Sequence, residues 1–202
     1  EGLVYLATIY ASQKNYDKAI ETFGKLTEKD PNALMPYFYS GRIYGEMKEY
    51  AKAETALKKA IEIKPDFEAA YITLGLVYEL QGRLDDAVAT YKKVKDINPN
   101  NPDIQTRLAN VYLQKRSFDE ALAELRQVGE IEPNNQENRL KMGLVYLEQK
   151  DYLKAIEQFQ FILARNPGDL KARYYLAATY GELGKLEMAL DEYQKILEQE
   201  PK

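Results

Sequence analysis

The sequence is built on a period of 34 residues, which tyrosine marks six times without a slip. An alanine follows each of these tyrosines after nine residues, and a proline follows each alanine after twelve. The three series are Tyr10, Tyr44, Tyr78, Tyr112, Tyr146 and Tyr180; Ala19, Ala53, Ala87, Ala121, Ala155 and Ala189; and Pro31, Pro65, Pro99, Pro133, Pro167 and Pro201. Self-similarity at a fixed period of about 20–50 residues is typical of repeat architectures, so one structural unit recurs along the chain.

Each unit reads as two helices. Apolar residues recur at helical spacing in 68–81 and again in 85–97, and Pro99 ends the second helix because proline lacks an amide hydrogen. Asn101 is suited to cap the helix that follows, and the short connections make neighbouring helices antiparallel. We therefore predict an all-α fold, a single solenoid domain over residues 1–202. Its six predicted repeats are 1–33, 34–67, 68–101, 102–135, 136–169 and 170–202.

Small residues stand three positions before each repeat tyrosine, where they let the two helices of a unit approach closely. They are Ala7, Gly41, Gly75, Ala109, Gly143 and Ala177. A large apolar residue fills the space beside them, at Phe23, Leu57, Tyr91, Leu125, Phe159 and Tyr193. Since neither helix alone can bury its apolar face, the units must stack on one another.

This pattern resembles the tetratricopeptide repeat family over the whole chain. The resemblance implies a right-handed superhelical α-solenoid of helix hairpins whose first helices form a concave, peptide-binding groove. One family hallmark, an aromatic residue four positions before the small one, is present only at Tyr37 and Tyr71. The remaining units carry Leu3, Gln105, Arg139 and Arg173 there, which predicts a changed packing in the later units.

Composition bounds the function. The chain has no histidine, no cysteine and only three serines, so the usual nucleophile and base arrangements and thiolate metal sites cannot be built. We predict no catalytic residues, no metal site and no cofactor. A net charge of -4 argues against nucleic acid as a partner, and the absence of a long apolar run argues against membrane insertion. We expect a soluble protein and favour the cytoplasm over the periplasm, although no targeting signal can be read.

Five aromatic residues on predicted first helices are not needed for the repeat. They are Tyr5, Phe38, Tyr39, Tyr174 and Tyr175, and the helical spacing directs them toward the predicted groove. Aromatic side chains in a groove supply much contact area at little entropic cost. The alternative is that they simply pack against neighbouring first helices, and the sequence leaves both interpretations open.

Polar groove candidates share these helices. Arg42, Arg107, Lys141 and Lys171 have groove-facing spacings, and together with the aromatic residues they suit an extended peptide with acidic and apolar side chains. A solvated face of mixed charge would look the same. Asn110 and Lys171 also match two of the five positions that clamp a C-terminal carboxylate in the family, which is too few to predict that ligand.

The sequence thus predicts a non-catalytic scaffold for protein–protein interaction that binds a peptide or protein segment in its groove. An alternative is a self-assembling module that stacks through its terminal repeats, because no polar helix follows Pro201 and Leu190 and Leu197 are expected to be uncovered. Another is the adaptor region of a larger enzyme.

Overall fold

The computed structural model describes residues 2–199, and within them the chain forms twelve α-helices and no strand. Their bounds are α1 (Gly2–Ser12), α2 (Tyr16–Lys29), α3 (Leu34–Glu46), α4 (Tyr50–Ile63), α5 (Glu68–Leu80), α6 (Leu84–Ile97), α7 (Pro102–Gln114), α8 (Phe118–Ile131), α9 (Gln136–Glu148), α10 (Tyr152–Arg165), α11 (Leu170–Glu182) and α12 (Leu186–Gln199). The all-α prediction is confirmed.

The chain divides into two compact units, an N-terminal unit of residues 1–104 and a C-terminal unit of residues 105–202. In the N-terminal unit, α1 pairs with α2, α3 with α4 and α5 with α6, and successive hairpins are in contact. In the C-terminal unit, α9 pairs with α10 and α11 with α12, while Ala109 of α7 shares a core cluster with Leu122 and Leu125 of α8. Each unit is therefore a short stack of hairpins.

The repeat tyrosine supplies the carbonyl that closes each hairpin turn. The amide of Asn15 donates to the carbonyl of Tyr10 at 2.8 Å, and the equivalent bond from Lys185 to Tyr180 measures 2.9 Å. This is the six-to-one bond of a Schellman motif, which requires a left-handed residue just before the donor. The residues at that position have φ between 58° and 71°: Lys14, Lys48, Gly82, Arg116, Lys150 and Gly184.

Each proline of the series ends a second helix by its effect on the residue that precedes that proline. A residue before proline is driven out of the helical region by the proline ring. Lys64 accordingly has φ -135° and ψ 94° at the end of α4, and Asn98 has φ -136° and ψ 86° at the end of α6. Pro201 lies outside the described residues.

Small residues set the spacing inside the hairpins. A methyl group added to Gly143 would lie 2.5 Å from Cε1 of Phe159, and one added to Gly41 would lie 2.6 Å from Cγ of Leu57. The large partners are fully buried, with Leu57 and Phe159 both at 0% exposure. Glycine at these positions therefore allows the approach that buries the large side chain of the second helix.

A substitution in the family pattern keeps its structural role in the last hairpin. Tyr71 donates from its hydroxyl to the carbonyl of Pro65 at 3.2 Å. Arg173 holds the same position three repeats later and donates to the carbonyl of Pro167, while its other terminal nitrogen pairs with Glu192 at 2.7 Å. The guanidinium thus replaces the tyrosine hydroxyl and gains a largely buried ion pair within the same hairpin.

Apolar side chains are exposed on both terminal hairpins. Leu190 and Leu197 of α12 are 61% and 73% exposed, as expected from the sequence. The first helix exposes Leu3, Leu6 and Ile9 in a similar way. Among residues 2–199, no helix combines the length and apolarity needed to cross a membrane.

Candidate functional site

A pocket of about 330 Å³ lies on the first-helix side of the N-terminal unit. Thr8 and Ser12 of α1 line one side, and Tyr39 and Arg42 of α3 line the other. The ring of Tyr39 is stacked on Phe23 of α2, with centroids 5.8 Å apart and planes inclined by 18°. Because Phe23 is completely buried, this stack holds Tyr39 rigidly, with part of its surface exposed in the pocket.

Charge is distributed unevenly around this pocket. Arg42 is exposed, and its guanidinium lies 5.9 Å from the centroid of the Phe38 ring. Glu46 accepts a hydrogen bond of 2.8 Å from the hydroxyl of Tyr16. That bond raises the pKa of the Tyr16 hydroxyl, because the proton is held between an oxygen and a carboxylate. One oxygen of Glu46 is thus occupied by a bond within the chain, whereas Arg42 forms no ion pair with a described residue and can meet an anion.

Phe38 does not point outward as the helical spacing predicts. Its side chain is buried at 8% exposure and packs edge-on against Phe67, with centroids 5.0 Å apart. The expectation that its ring faces a groove is therefore corrected: the ring fills the space between successive hairpins, and only its contact with Arg42 links it to the surface. Here the alternative of simple packing, which the sequence left open, is the one realised.

A second pocket, of about 590 Å³, lies on the C-terminal unit. Lys141 and Leu144 of α9 line it together with Tyr175 of α11 and Phe118 of α8. Tyr175 is stacked on Phe159, with centroids 5.7 Å apart and planes inclined by 22°. Lys141 and Tyr175 are predicted from the sequence, whereas Leu144 and Phe118 are not, because apolar residues are common on both helices of every repeat.

The ammonium of Lys141 sits at the edge of this second pocket. It pairs with Glu137 at 3.1 Å, one turn earlier on the same helix, and its side chain is 27% exposed while that of Glu137 is 77% exposed. An exposed pair of this kind contributes less than about 1 kcal/mol, so a carboxylate of a ligand can compete for the lysine.

The remaining candidates are more scattered. Tyr5 is 69% exposed on α1, and Tyr174 is 53% exposed, with its ring edge-on to Tyr175 at 5.6 Å. Lys171 is exposed at the start of α11, and Arg107 and Asn110 are half-buried on α7. Among the described residues, no group of three acidic, histidine or cysteine side chains is arranged to hold a metal ion.

Comparison with family profiles shows which protein family the chain belongs to. A tetratricopeptide repeat profile matches residues 80–142 and 146–202, which together make up more than half of the chain. Further tetratricopeptide repeat profiles match residues 41–82 and 1–33. The chain belongs to the tetratricopeptide repeat family. No curated protein matches its sequence.

Solved structures share the tetratricopeptide repeat fold. The crystal structure of YrrB, described as a TPR protein with an unusual peptide-binding site, superposes with a TM-score of 0.71 at 24% identity, covering 90% of this chain and 94% of YrrB. The crystal structure of MamA gives a TM-score of 0.72 at 22% identity, covering 82% and 91%. A tetratricopeptide repeat protein from Parabacteroides merdae gives 0.75 at 16% identity, covering 99% and 80%.

One position of the tetratricopeptide repeat holds five of the ten candidate residues. It lies two residues before the small residue and holds, from the first repeat to the last, Tyr5, Tyr39, Thr73, Arg107, Lys141 and Tyr175. Aromatic residues occupy it in the outer repeats and cations in the fourth and fifth. An alignment of the six repeats with one another shows that the aromatic and the basic candidates at this position belong to a single series.

Proposed function

We propose that this tetratricopeptide repeat chain is a non-catalytic scaffold that binds a peptide or protein segment along its first helices. The observation that carries the proposal is the recurrence of one arrangement in both units. A tyrosine on a first helix, Tyr39 or Tyr175, stacks on a buried phenylalanine and keeps part of its ring exposed in a pocket beside a cation. Rigid aromatic surface next to a cation favours recognition of peptides at low entropic cost.

The chemistry of the lining favours an acidic and apolar ligand. The N-terminal pocket offers Arg42 and Lys14 against one carboxylate, that of Glu46. The C-terminal pocket offers Lys141 and Arg116 against that of Glu148, which lies 3.8 Å from Arg116. The chain as a whole carries a net charge of -4, so the excess of cations at both pockets is a local departure from its overall negative charge. The peptide-binding site after which YrrB is described supports the same class of function for a protein of this fold.

The test is selection of peptides from a random displayed library on the wild-type chain and on three variants. The first is Tyr39→Ala with Tyr175→Ala, and the second is Arg42→Glu with Lys141→Glu. The third, a matched control, is Leu153→Ala, which removes an apolar side chain that is 64% exposed on α10 and lines neither of the two pockets. We expect acidic, apolar peptides that the control retains and the other two variants lose by about tenfold or more. Equal retention by all four proteins would refute binding at these pockets.

A second candidate function is self-association through the terminal hairpins, which the exposed Leu190 and Leu197 and the exposed Leu3 and Ile9 favour. It is separated from peptide binding by sedimentation across a concentration series. Growth in mass that Leu197→Glu abolishes and Tyr39→Ala leaves intact supports stacking. A constant monomeric mass rules it out.

A further inference from the structure

The second helices α2 and α4 flank a cleft of about 810 Å³ in the N-terminal unit, which shares no lining residue with the two pockets described above. Ile20, Gly24 and Thr27 form one wall, Ala51 and Thr55 contribute to the other, and α3 provides the floor. The volume falls within the range of about 300–1,000 Å³ in which proteins hold ligands or anchoring side chains. The 34-residue pattern by itself does not predict this cleft.

Gly24 opens the cleft. At the equivalent position of later repeats the chain carries a long side chain: Lys58, Lys92, Arg126, Gln160 and Gln194. A methyl group added to Gly24 would meet no atom within 4 Å, so glycine is not required there by packing. The helix accepts a residue of poor helical propensity in its interior although the space would hold a larger one.

The missing side chain leaves the hydroxyl of Tyr44 without the partner that Tyr146 and Tyr180 have. In the C-terminal unit, Arg126 donates to the hydroxyl of Tyr146 at 3.2 Å and Gln160 donates to that of Tyr180 at 3.1 Å. Where Tyr44 lines the cleft, its hydroxyl forms no hydrogen bond with any described residue. A ligand group that occupies the place of the missing side chain would restore this bond.

The neighbouring repeat shows which chemistry suits this tyrosine position. The hydroxyl of Tyr78 donates to the carboxylate of Glu54 at 2.9 Å, and Lys58 pairs with the same carboxylate at 2.7 Å. Tyr44 is equivalent to Tyr78, but Ile20 stands where the carboxylate would be. The ammonium of Lys52 already lies 5.4 Å from the centroid of the Tyr44 ring. A carboxylate from a partner could thus accept a hydrogen bond from the Tyr44 hydroxyl and lie near the Lys52 ammonium.

The rim of the cleft is predominantly basic. Lys52, Lys58 and Lys59 surround it, against a single acidic side chain, Glu62. Their ion pairs with Glu49, Glu54 and Glu62 are made by lysine side chains that are 44–62% exposed. The pairs of Lys52 with Glu49 and of Lys59 with Glu62 are weak, so carboxylates of a ligand can exchange for these two. Glu54 is only 18% exposed and is also held by Arg83 and Tyr78, so Lys58 keeps its partner.

We propose that this cleft binds an acidic amphipathic helix of a partner protein. The helix would place an aliphatic side chain over Gly24, a carboxylate on the Tyr44 hydroxyl and further carboxylates toward the lysines. The cleft extends along α4 from Ala51 to Glu62, which is about 16 Å at 1.5 Å per residue and matches three helical turns. A third helix lying between two neighbouring helices packs by the ordinary rules of ridges and grooves.

The experiment measures fluorescence anisotropy with a labelled, helix-forming peptide of about 16 residues, built from Leu, Ala and Glu with Leu at every third or fourth position. Its controls are the same peptide with Lys in place of Glu and one with a central proline. We expect the acidic helical peptide to bind, its affinity to fall several-fold between about 0.05 and 0.5 M salt, and both control peptides to bind about tenfold more weakly or not at all.

Two substitutions of one residue separate filling of the cleft from loss of fold. Gly24→Gln introduces the side chain that Gln160 provides in the fifth repeat, and we expect it to weaken binding about tenfold while thermal unfolding shows a folded chain. Gly24→Ala leaves most of the volume open and is expected to bind within about twofold of the wild type. Tyr44→Phe should weaken binding about three- to tenfold through loss of one hydrogen bond to a carboxylate.

Three outcomes would each overturn the proposal: no binding of the acidic peptide at millimolar concentration, equal affinity of Gly24→Gln and wild type, or equal affinity for the peptide that contains lysine. Equal binding of the proline peptide would overturn the helical form of the ligand. Tyr39→Ala and Tyr175→Ala lie outside this cleft and are expected to change nothing here, so the result is independent of the function proposed for the first-helix pockets.

Discussion

The two units build the same aromatic stack and surround it differently. Tyr39 lies on Phe23 and Tyr175 lies on Phe159 with nearly equal distances, 5.8 and 5.7 Å. Beside the first stack stands Arg42, whereas the equivalent residue beside the second is Ala178. The period therefore preserves the side chains that hold the hairpins together, while the residues one helical step away vary and set what each pocket can contact.

The units also differ in how their helices begin. In the N-terminal unit the residues before α2 to α6 form no side-chain cap, and Ala33 stands before α3. In the C-terminal unit Asn135, Asp151 and Asp169 accept hydrogen bonds from the amides of the first turns of α9, α10 and α11. A cap satisfies amides that the helix itself leaves free, so the C-terminal unit has more local stabilisation at its helix starts.

The largest effect is expected from Gly143→Ala. This change tests whether the hairpin that contains Phe159 tolerates an alanine at the position where the first hairpin has Ala7. Ala7 and Phe23 share one core cluster in the first hairpin, whereas Phe159 faces a glycine. A methyl group on Gly143 would lie 2.5 Å from the Phe159 ring, so the ring or the helix must move. We expect a loss of about 2 kcal/mol in the free energy of unfolding, measured by urea denaturation.

Gly181→Ala is the matched control for this change. It adds a methyl group in the same unit where no atom lies within 4 Å, and it should leave stability unchanged or raise it by about 0.5 kcal/mol. Equal stability of Gly143→Ala and the wild type would mean that the hairpins share one spacing and that the glycine is not needed.

A smaller effect is expected at Glu54, which has no carboxylate equivalent in the C-terminal unit, where Leu122 and Ile156 stand. Burial favours the neutral acid and raises the pKa of Glu54. Hydrogen bonds from Lys58, Arg83 and Tyr78 act the other way and prevail, so that this pKa falls from 4.5 to about 2. We expect Glu54→Gln to cost about 1–2 kcal/mol at pH 7, less than the full shift implies because the cationic partners are exposed.

The pH dependence of this loss follows from the sign of the shift. Since the folded-state pKa is lowered, the stabilisation is fully present above about pH 4.5 and disappears as the pH falls toward 2. Urea denaturation of wild type and Glu54→Gln from pH 7 to pH 3 should therefore converge. Glu62→Gln, an exposed member of a neighbouring pair, should cost less than about 0.5 kcal/mol, and a pH-independent difference at Glu54 would contradict the assignment.

The smallest effect tests the helix starts by exchanging them between the units. Asp169 accepts from the amide of Ala172 at 2.8 Å, and Ala33 occupies the equivalent position before α3. We expect Asp169→Ala to lower the free energy of unfolding by about 1 kcal/mol and Ala33→Asp to raise it by about 0.5–1 kcal/mol. Hydrogen exchange of the first turns of α3 and α11 reports each change locally. A loss from Ala33→Asp would show that something other than the cap limits α3.

The helices and their ends follow from short-range chemistry that the sequence displays. In each hairpin turn the tyrosine carbonyl and the left-handed residue act within six residues of one another, and the residue before each proline responds to its immediate neighbour. Among the candidate residues, Tyr5, Tyr174, Arg42 and Lys171 are exposed, whereas Phe38 is buried although it is adjacent to Tyr39 on the same helix. That the exposed residues face a binding groove stays a prediction.

The difference between Phe38 and Tyr39 shows what the sequence alone does not determine. Successive residues on a helix are rotated by about 100°, and whether a side chain is covered depends on the next hairpin, which brings Phe67 onto Phe38. Gly24 is a second example. A glycine adds nothing to the apolar pattern of the sequence, and the cleft beside it exists only because α4 lies opposite α2. The 34-residue period dictates hairpins that must stack, whereas contacts between hairpins select which side chains remain open to a partner.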